Sequence, residues 1–277
     1  MTLPIEDYAL IGDCQTAALV GRDGSIGWLC LPRFDSDACF AAILGDSDNG
    51  RWLVAATDPK AKITRRYRPD TLILETRFET KTGIATLVDF MYPVEKHPHI
   101  VRFVVGETGS VEFETELVVR FGYGEQVPWA TMQPDGRLRA VAGPSKVVVQ
   151  STVPLHGEDF RTKGKFTVHE GETQSFTLSY IESYVPDPPV VDPSRLIEKT
   201  EQYWKGWTSQ CSMTGPYANT VKRSLITLKA MTYAPTGGVV AAATTSLPEQ
   251  FGGPRNWDYR YCWVRDATLT LLALMNT

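Results

Sequence analysis

Cysteine is scarce and unpatterned in this 277-residue sequence. Cys14, Cys30, Cys39, Cys211 and Cys262 are odd in number, scattered and never in a CxxC pair. That excludes a disulfide framework and reads as reduced, mostly buried small side chains of a cytoplasmic protein. Histidine is rarer still. His97 and His99 flank Pro98 in an expected surface loop, while His156 and His169 stand alone. Zinc needs three or four clustered ligands, so no metal site is expected. Charge of one sign does not accumulate either. Lys+Arg 28 against Asp+Glu 32 gives a net charge of −4, without the basic patch that a nucleic-acid partner would require. No apolar stretch approaches the ~20 residues that span a bilayer, which argues against a membrane partner. The segment from Met1 to Asp7 lacks the basic and apolar regions of a signal peptide. Neither G-x-G-x-x-G nor a P-loop occurs, so a nucleotide cradle is excluded and no cofactor is expected.

What remains is an ordinary globular composition, 43% hydrophobic and 22% charged, with length for about two domains at ~150 residues each. Up to about residue 185 the signal is alternation. In Val111–Phe121, positions Val111, Phe113, Leu117, Val119 and Phe121 share one face, and Glu112, Glu114 and Glu116 share the other. Period two sets one face in a core and one in water. His99–Val105 precedes it across Gly106–Ser110, a short loop with two glycines, which predicts a hairpin. The same grammar pairs Ala17–Val20 with Ser25–Leu29, and Leu72–Thr80 with Ile84–Tyr92. It also joins Phe166–His169 to Thr173–Tyr180 through Glu170-Gly171. At least eight strands on short polar loops predict an antiparallel β sandwich, with no βαβ alternation.

Tyr184–Pro193 then holds four prolines, Pro186, Pro188, Pro189 and Pro193, which suit neither a helix interior nor a central strand. This marks a linker. Asp192 is placed to cap a helix starting with Pro193, along which Leu196, Thr200, Tyr203, Trp204 and Trp207 recur at helical steps. A second helix is predicted from near Pro216, with Val221, Leu225, Leu228 and Met231 on one stripe, stopping at Ala234–Gly238. A third starts around Asp266 and carries Leu269, Leu271, Leu272, Leu274 and Met275. Burying each of these is worth roughly 1.5–3 kcal/mol. An apolar helix with only two helices before it implies a larger helical domain continuing beyond Thr277. The expected division is 1–185 sandwich, 186–215 proline-rich linker and linker helix, and 216–277 the start of that helical domain.

The densest chemistry lies in Gly252–Asp266, which gathers Trp257, Tyr259, Tyr261 and Trp263 with Arg255, Arg260, Arg265, Asp258 and Asp266. Rings pack on the C–H faces of a pyranose, and charged groups bond its hydroxyls strongly. The alternative is an aromatic domain interface with structural Arg–Asp pairs, in which Asp266 only caps its helix.

The segment Tyr217–Met275 resembles the opening of the catalytic domain of glycoside hydrolase family 15, the glucoamylase and bacterial trehalase-like enzymes. It does so through Val221–Leu225, Leu228–Gly237, Thr244–Glu249 and the string N-W-D-Y-R-Y-x-W-x-R-D from Asn256 to Asp266. Ile11–Val20 and Asp23–Asp35 are similar to the trehalase-like N-terminal domain. The resemblance implies a supersandwich followed by an (α/α)6 barrel, here incomplete, and hydrolysis of α-glucosidic bonds with inversion. It further implies that Arg265 and Asp266 hold glucose hydroxyls while Tyr259 and Trp263 line the same subsite. The partner is then an α-glucoside, trehalose or a short α-glucan.

Inversion needs a general acid and a general base roughly 6.5–9.5 Å apart. In the resembled family both are glutamates downstream of the string, so neither is expected within these residues and no catalytic residue is assigned. Glu249, Asp258 and Asp266 are the nearest carboxylates, and a substitute pair from them is disfavoured. Asp13 reads as a turn or packing carboxylate. Two competing functions stay open. One is a stand-alone carbohydrate-binding or scaffolding sandwich whose helical tail makes it a homo-oligomer. The other is an α-glucoside phosphorylase, for which no basic or glycine nest marks a phosphate site.

Overall fold

A computed structural model of the chain describes residues 3–93, 97–246, 248–250 and 252–276. Met1, Thr2, Leu247 and Thr277, which belong to segments named above, lie outside the described residues. The strands run in chain order as β1 Tyr8–Gly12, β2 Ala17–Gly21, β3 Ser25–Cys30, β4 Ala38–Phe40, β5 Arg51–Ala56, β6 Lys62–Tyr67, β7 Leu74–Glu79 and β8 Gly83–Met91. They continue as β9 His99–Val118, β10 Trp129–Met132, β11 Leu138–Ala142, β12 Ser145–Ser151, β13 His156–Glu158, β14 Arg161–His169 and β15 Thr173–Glu182. All pairings are antiparallel, and the strands form two layers that share β9.

The expected hairpin across Gly106–Ser110 does not form. His99–Val118 is one strand of 20 residues. Its first half lies between β8 and β15, and its second half between β5 and β14. The physical reason is where the backbone groups of the bend find partners. Gly106 N–H donates to Glu172 O and Ser110 N–H to Thr82 O, while Gly171 and Glu170 donate to Gly106 O and Gly109 O. Two neighbouring turns therefore saturate this stretch, and it need not fold back on itself. A Cβ on Gly106 would lie 2.0 Å from His169 O, and one on Gly109 2.3 Å from Thr82 O. The glycines thus permit close approach rather than a turn. Glu170-Gly171 likewise does not close a hairpin. β14 pairs with β9 and β13, β15 with β9 and β12, so the chain crosses between layers there.

The alternation itself holds. Val111, Phe113 and Leu117 are buried, while Glu112 is exposed. Rings meet across the layers: Phe78 of β7 stands edge-on to Phe113 of β9 at 5.4 Å, and Trp52 of β5 to Phe176 of β15 at 6.2 Å. Inside this core sits one fully buried ion pair. Arg102 donates to Asp89 Oδ1 at 2.7 Å, to Trp52 O at 2.8 Å and to Gly24 O at 2.6 Å. Its guanidinium also lies over the Trp52 ring. His99 opens β9 and is buried, its Nδ1 2.7 Å from Ser179 Oγ, rather than lying in a surface loop.

The proline-rich segment is strapped along the sheet. Lys146 donates to Val185 O, Arg137 to Pro188 O, and Arg139 and Lys146 both reach Asp187. Gln150 bonds Val191 through both its amide atoms. Then comes α1, Pro193–Thr208, capped by Asp192 Oδ1 accepting from Ser194 N–H at 3.0 Å. α2 spans Ala218–Ala230 and α3 Val264–Met275. Trp204 of α1 and Ile226 and Ala230 of α2 pack with Cys14 and Leu72 of the sandwich. The third helix differs: Leu269, Leu271, Leu272 and Met275 are all more than half exposed.

Candidate functional site

The aromatic strip is built as one arm of an irregular antiparallel pair. Ala241 and Ala242 N–H donate to Tyr261 O and Tyr259 O, and Ser246 and Trp257 bond each other. Bridges join Val240 to Cys262 and Thr245 to Asp258. Alternation along such an arm turns successive side chains to opposite sides. Arg260 accordingly turns into the sandwich and is buried while Tyr261 is exposed, but the alternation ends there, since Cys262 is exposed as well.

Arg260 is the anchor of the strip. It forks onto Asp258, Nε to Oδ1 at 3.0 Å and Nη2 to Oδ2 at 2.8 Å, and its Nη1 donates to Ser36 O at 2.8 Å. Its guanidinium lies 5.6 Å from the centre of the Tyr123 ring. The Arg260 fork holds the Asp258 carboxyl below its ordinary range, ahead of the opposing effect of burial. Burial pushes the Cys30 thiol up to about 11, only partly offset by Arg260 beside it. From the sandwich, Trp28 Nε1–H donates to Ala243 O at 2.7 Å. The contacts to Ser36, Cys30 and Tyr123 and from Trp28 lock strip and sandwich together, and all of them join residues far apart in sequence. Trp28, Cys30 and Tyr123 carried no signal that could have paired them with the strip in advance.

The four predicted site residues fall into two touching pairs. Tyr259 and Trp263 meet edge-on at 5.4 Å and 82°, and Trp263 Nε1–H donates to Asp258 O at 3.0 Å, which fixes its ring. Trp257 stands 6.4 Å from Trp263 on another side. Arg265 and Asp266 form an ion pair at 3.1 Å in the first turn of α3. The N-cap is Trp263, so Asp266 does not cap the helix. A carboxylate in the first turn is nonetheless favoured by the helix dipole. The side chains of Arg265 and Asp266 are 70% and 33% exposed, so both reach solvent. Glu249 is taken up by Trp257 Nε1–H at 3.1 Å and Arg255 at 3.5 Å. Asp258 is likewise held, by Arg260.

The elements thus define a two-layer antiparallel β sandwich that carries a short helical extension with an aromatic, Arg–Asp-bearing edge. Residues 1–157 match the family model "Trehalase-like, N-terminal", and residues 215–277 match "Glycosyl hydrolases family 15". The chain belongs to the trehalase-like N-terminal family and has the make-up of the N-terminal portion of a family 15 protein. Among its relatives, a trehalase of Mycolicibacterium smegmatis is 32% identical over 98% of this chain and 44% of its own length. A trehalase of Thermoplasma volcanium is likewise 32% identical over 98% and 44%. Trehalase 2 of Sulfolobus acidocaldarius is 29% identical over 97% and 46%. The chain therefore spans less than half the length of these relatives. A bacterial glucoamylase complexed with acarbose shares the fold with a TM-score of 0.65 at 12% identity, over 96% of this chain and 46% of that one.

Proposed function

We propose that this chain is the substrate-gripping N-terminal part of an inverting α-glucoside hydrolase of trehalase or glucan 1,4-alpha-glucosidase type, acting in carbohydrate metabolism. The observation that carries the proposal is the exposed Arg265–Asp266 pair in the first turn of α3, beside the Tyr259–Trp263 ring pair. A guanidinium fork and a carboxylate on one rigid turn can read adjacent sugar hydroxyls, and a fixed ring offers the pyranose an apolar face. Relatives named trehalase favour an α-glucoside, trehalose or a short α-glucan, as the ligand. In this reading residues 1–185 are the sandwich, 186–215 the linker with its helix, and 216–277 the first part of a catalytic (α/α)6 barrel.

Acid and base are supplied by residues outside this sequence. The two other carboxylates of the segment already have basic or N–H partners, Asp258 in Arg260 and Glu249 in Trp257 and Arg255. Without a general acid for the leaving oxygen and a general base for the water, binding has no turnover to drive. Incubating the purified chain with trehalose and with maltotriose should release no glucose above a blank. Sustained release abolished by Asp266→Ala would show that the chemistry resides in this chain and overturn the assignment.

A further inference from the structure

A second aromatic surface lies away from the strip, on the sandwich itself. Trp129 and Phe160 are 78% and 81% exposed, and together line a cavity of about 420 Å³. Its floor is apolar, formed by Leu117, Val119 and Leu138. Ligand sites generally fall between about 300 and 1,000 Å³. With Val127, Pro128 and Met132 on the same cavity the two rings form one contiguous apolar patch, the kind of surface that marks a contact site.

The backbone that carries both rings is fixed. Trp129 begins β10, registered on Val141 of β11. Phe160 sits with Asp159 at a left-handed turn, φ 57° and 48°, between β13 and β14. Such backbone is unfavourable for residues other than glycine, and persists where neighbours fix it. The neighbour is Arg120, nearly fully buried, whose Nη1 donates to Val119 O at 2.8 Å and to Phe160 O at 3.2 Å. Burial lowers the Arg120 pKa from its ordinary value, and no carboxylate bonds it directly among the described residues.

The charges lining the cavity decide its ligand. Arg120 and Arg161 face Glu158 and Asp159, so the signs cancel. Arg161 is already paired with Asp48 and Glu116, and Glu158 with Lys163. Asp159 has no bonding partner among the described residues. Balanced charge selects against an anionic polymer or a lipid surface, whereas two exposed rings on fixed backbone with a spare carboxylate suit a neutral ligand with apolar faces and hydroxyl edges. We propose that the Trp129–Phe160 groove is a second carbohydrate site, binding independently of Arg265 and Asp266 a linear α-glucan, a choice of sugar that rests on the function proposed above.

The test is calorimetric titration of the 277-residue chain with maltoheptaose, in an Asp266→Asn background that silences the helix site. Binding should persist in that background, weaken at least tenfold on adding Trp129→Ala or Phe160→Ala, and be largely kept by Trp129→Tyr. Far-UV circular dichroism checks that each variant is folded. Absence of binding in the Asp266→Asn chain would overturn the groove while leaving the helix site standing. Unchanged affinity after Trp129→Ala would overturn it too. So would a concentration-dependent dimer of the wild-type chain that Trp129→Ala dissolves, since a second copy would then be the occupant.

Discussion

The sandwich and the α3 region treat apolar side chains in opposite ways. In the sandwich, Phe78, Phe113, Trp52 and Phe176 interlock between layers at no more than 1% exposure, and even the buried Arg102 has every described contact inside the core. In α3, Leu269, Leu271, Leu272 and Met275 stand more than half exposed, and Thr270 is its one described residue in the buried class. The lesson is a division of labour. Stability resides in the first 185 residues, whereas the Arg265–Asp266 pair proposed to grip a sugar sits at the start of a helix whose large apolar side chains stand mostly exposed.

The largest contrast is expected from matched truncations in the two regions. Phe113→Ala removes a ring with two aromatic neighbours, Phe78 and Phe166. It should cost about 3–5 kcal/mol by urea denaturation. Leu271→Ala, at 52% exposure, should stay within about 0.5 kcal/mol. Equal costs for the two would erase the division.

A pH effect comes next, because it arises at the seam. Asp13 is fully buried beside Cys14, which packs on α1 and α2. Its Oδ1 accepts from Gln15 and Thr16 N–H, while Oδ2 is buried without a partner. Burial raises its pKa from 3.8 to about 7 despite those bonds. In that window the folded chain keeps a proton that the unfolded chain releases, so stability falls as pH rises, by roughly 1.4 kcal/mol per unit. Asp187 and Asp258, with pKa values lowered by their basic partners, act in the opposite sense and below the ordinary carboxylate range. Asp13→Asn keeps an acceptor for both N–H groups and should flatten the decline. A slope unchanged in that variant would assign the titration elsewhere.

A smaller effect sharpens how the regions are joined. Trp28→Phe deletes the bond to Ala243 O, worth about 1 kcal/mol plus the penalty of a stranded carbonyl. Hydrogen exchange should quicken across 240–263 while β5 and β9 stay protected. Uniform loss of protection would mean that strip and sandwich open as one unit.

These regions also differ in how far residues alone disclose them. Alternation in Val111–Phe121 and the cap at Asp192 rest on neighbours in sequence, so both are legible and both hold. Gly106 and Gly109 mislead because a layer-crossing bend and a hairpin loop share one composition. What separates them is the hydrogen bonding supplied by Thr82 and Glu172 from distant turns. At the strip, Arg265, Asp266, Tyr259 and Trp263 are singled out by the resemblance to glycoside hydrolase family 15, since composition marks the whole segment alike. Arg260 and Asp258 look equally available there, and only the packing against Ser36, Cys30 and Tyr123 shows them to be structural. The groove at Trp129 and Phe160 joins segments about 30 residues apart and leaves no local pattern.

The most direct measurement is saturation-transfer NMR of trehalose with the wild-type chain, Asp266→Ala and Arg265→Lys. If the first turn of α3 grips a glucose ring, the wild type transfers magnetisation to trehalose. Asp266→Ala then abolishes the transfer, and Arg265→Lys, which keeps the charge but loses the fork, weakens it. Transfer that is equal in all three chains would contradict the account.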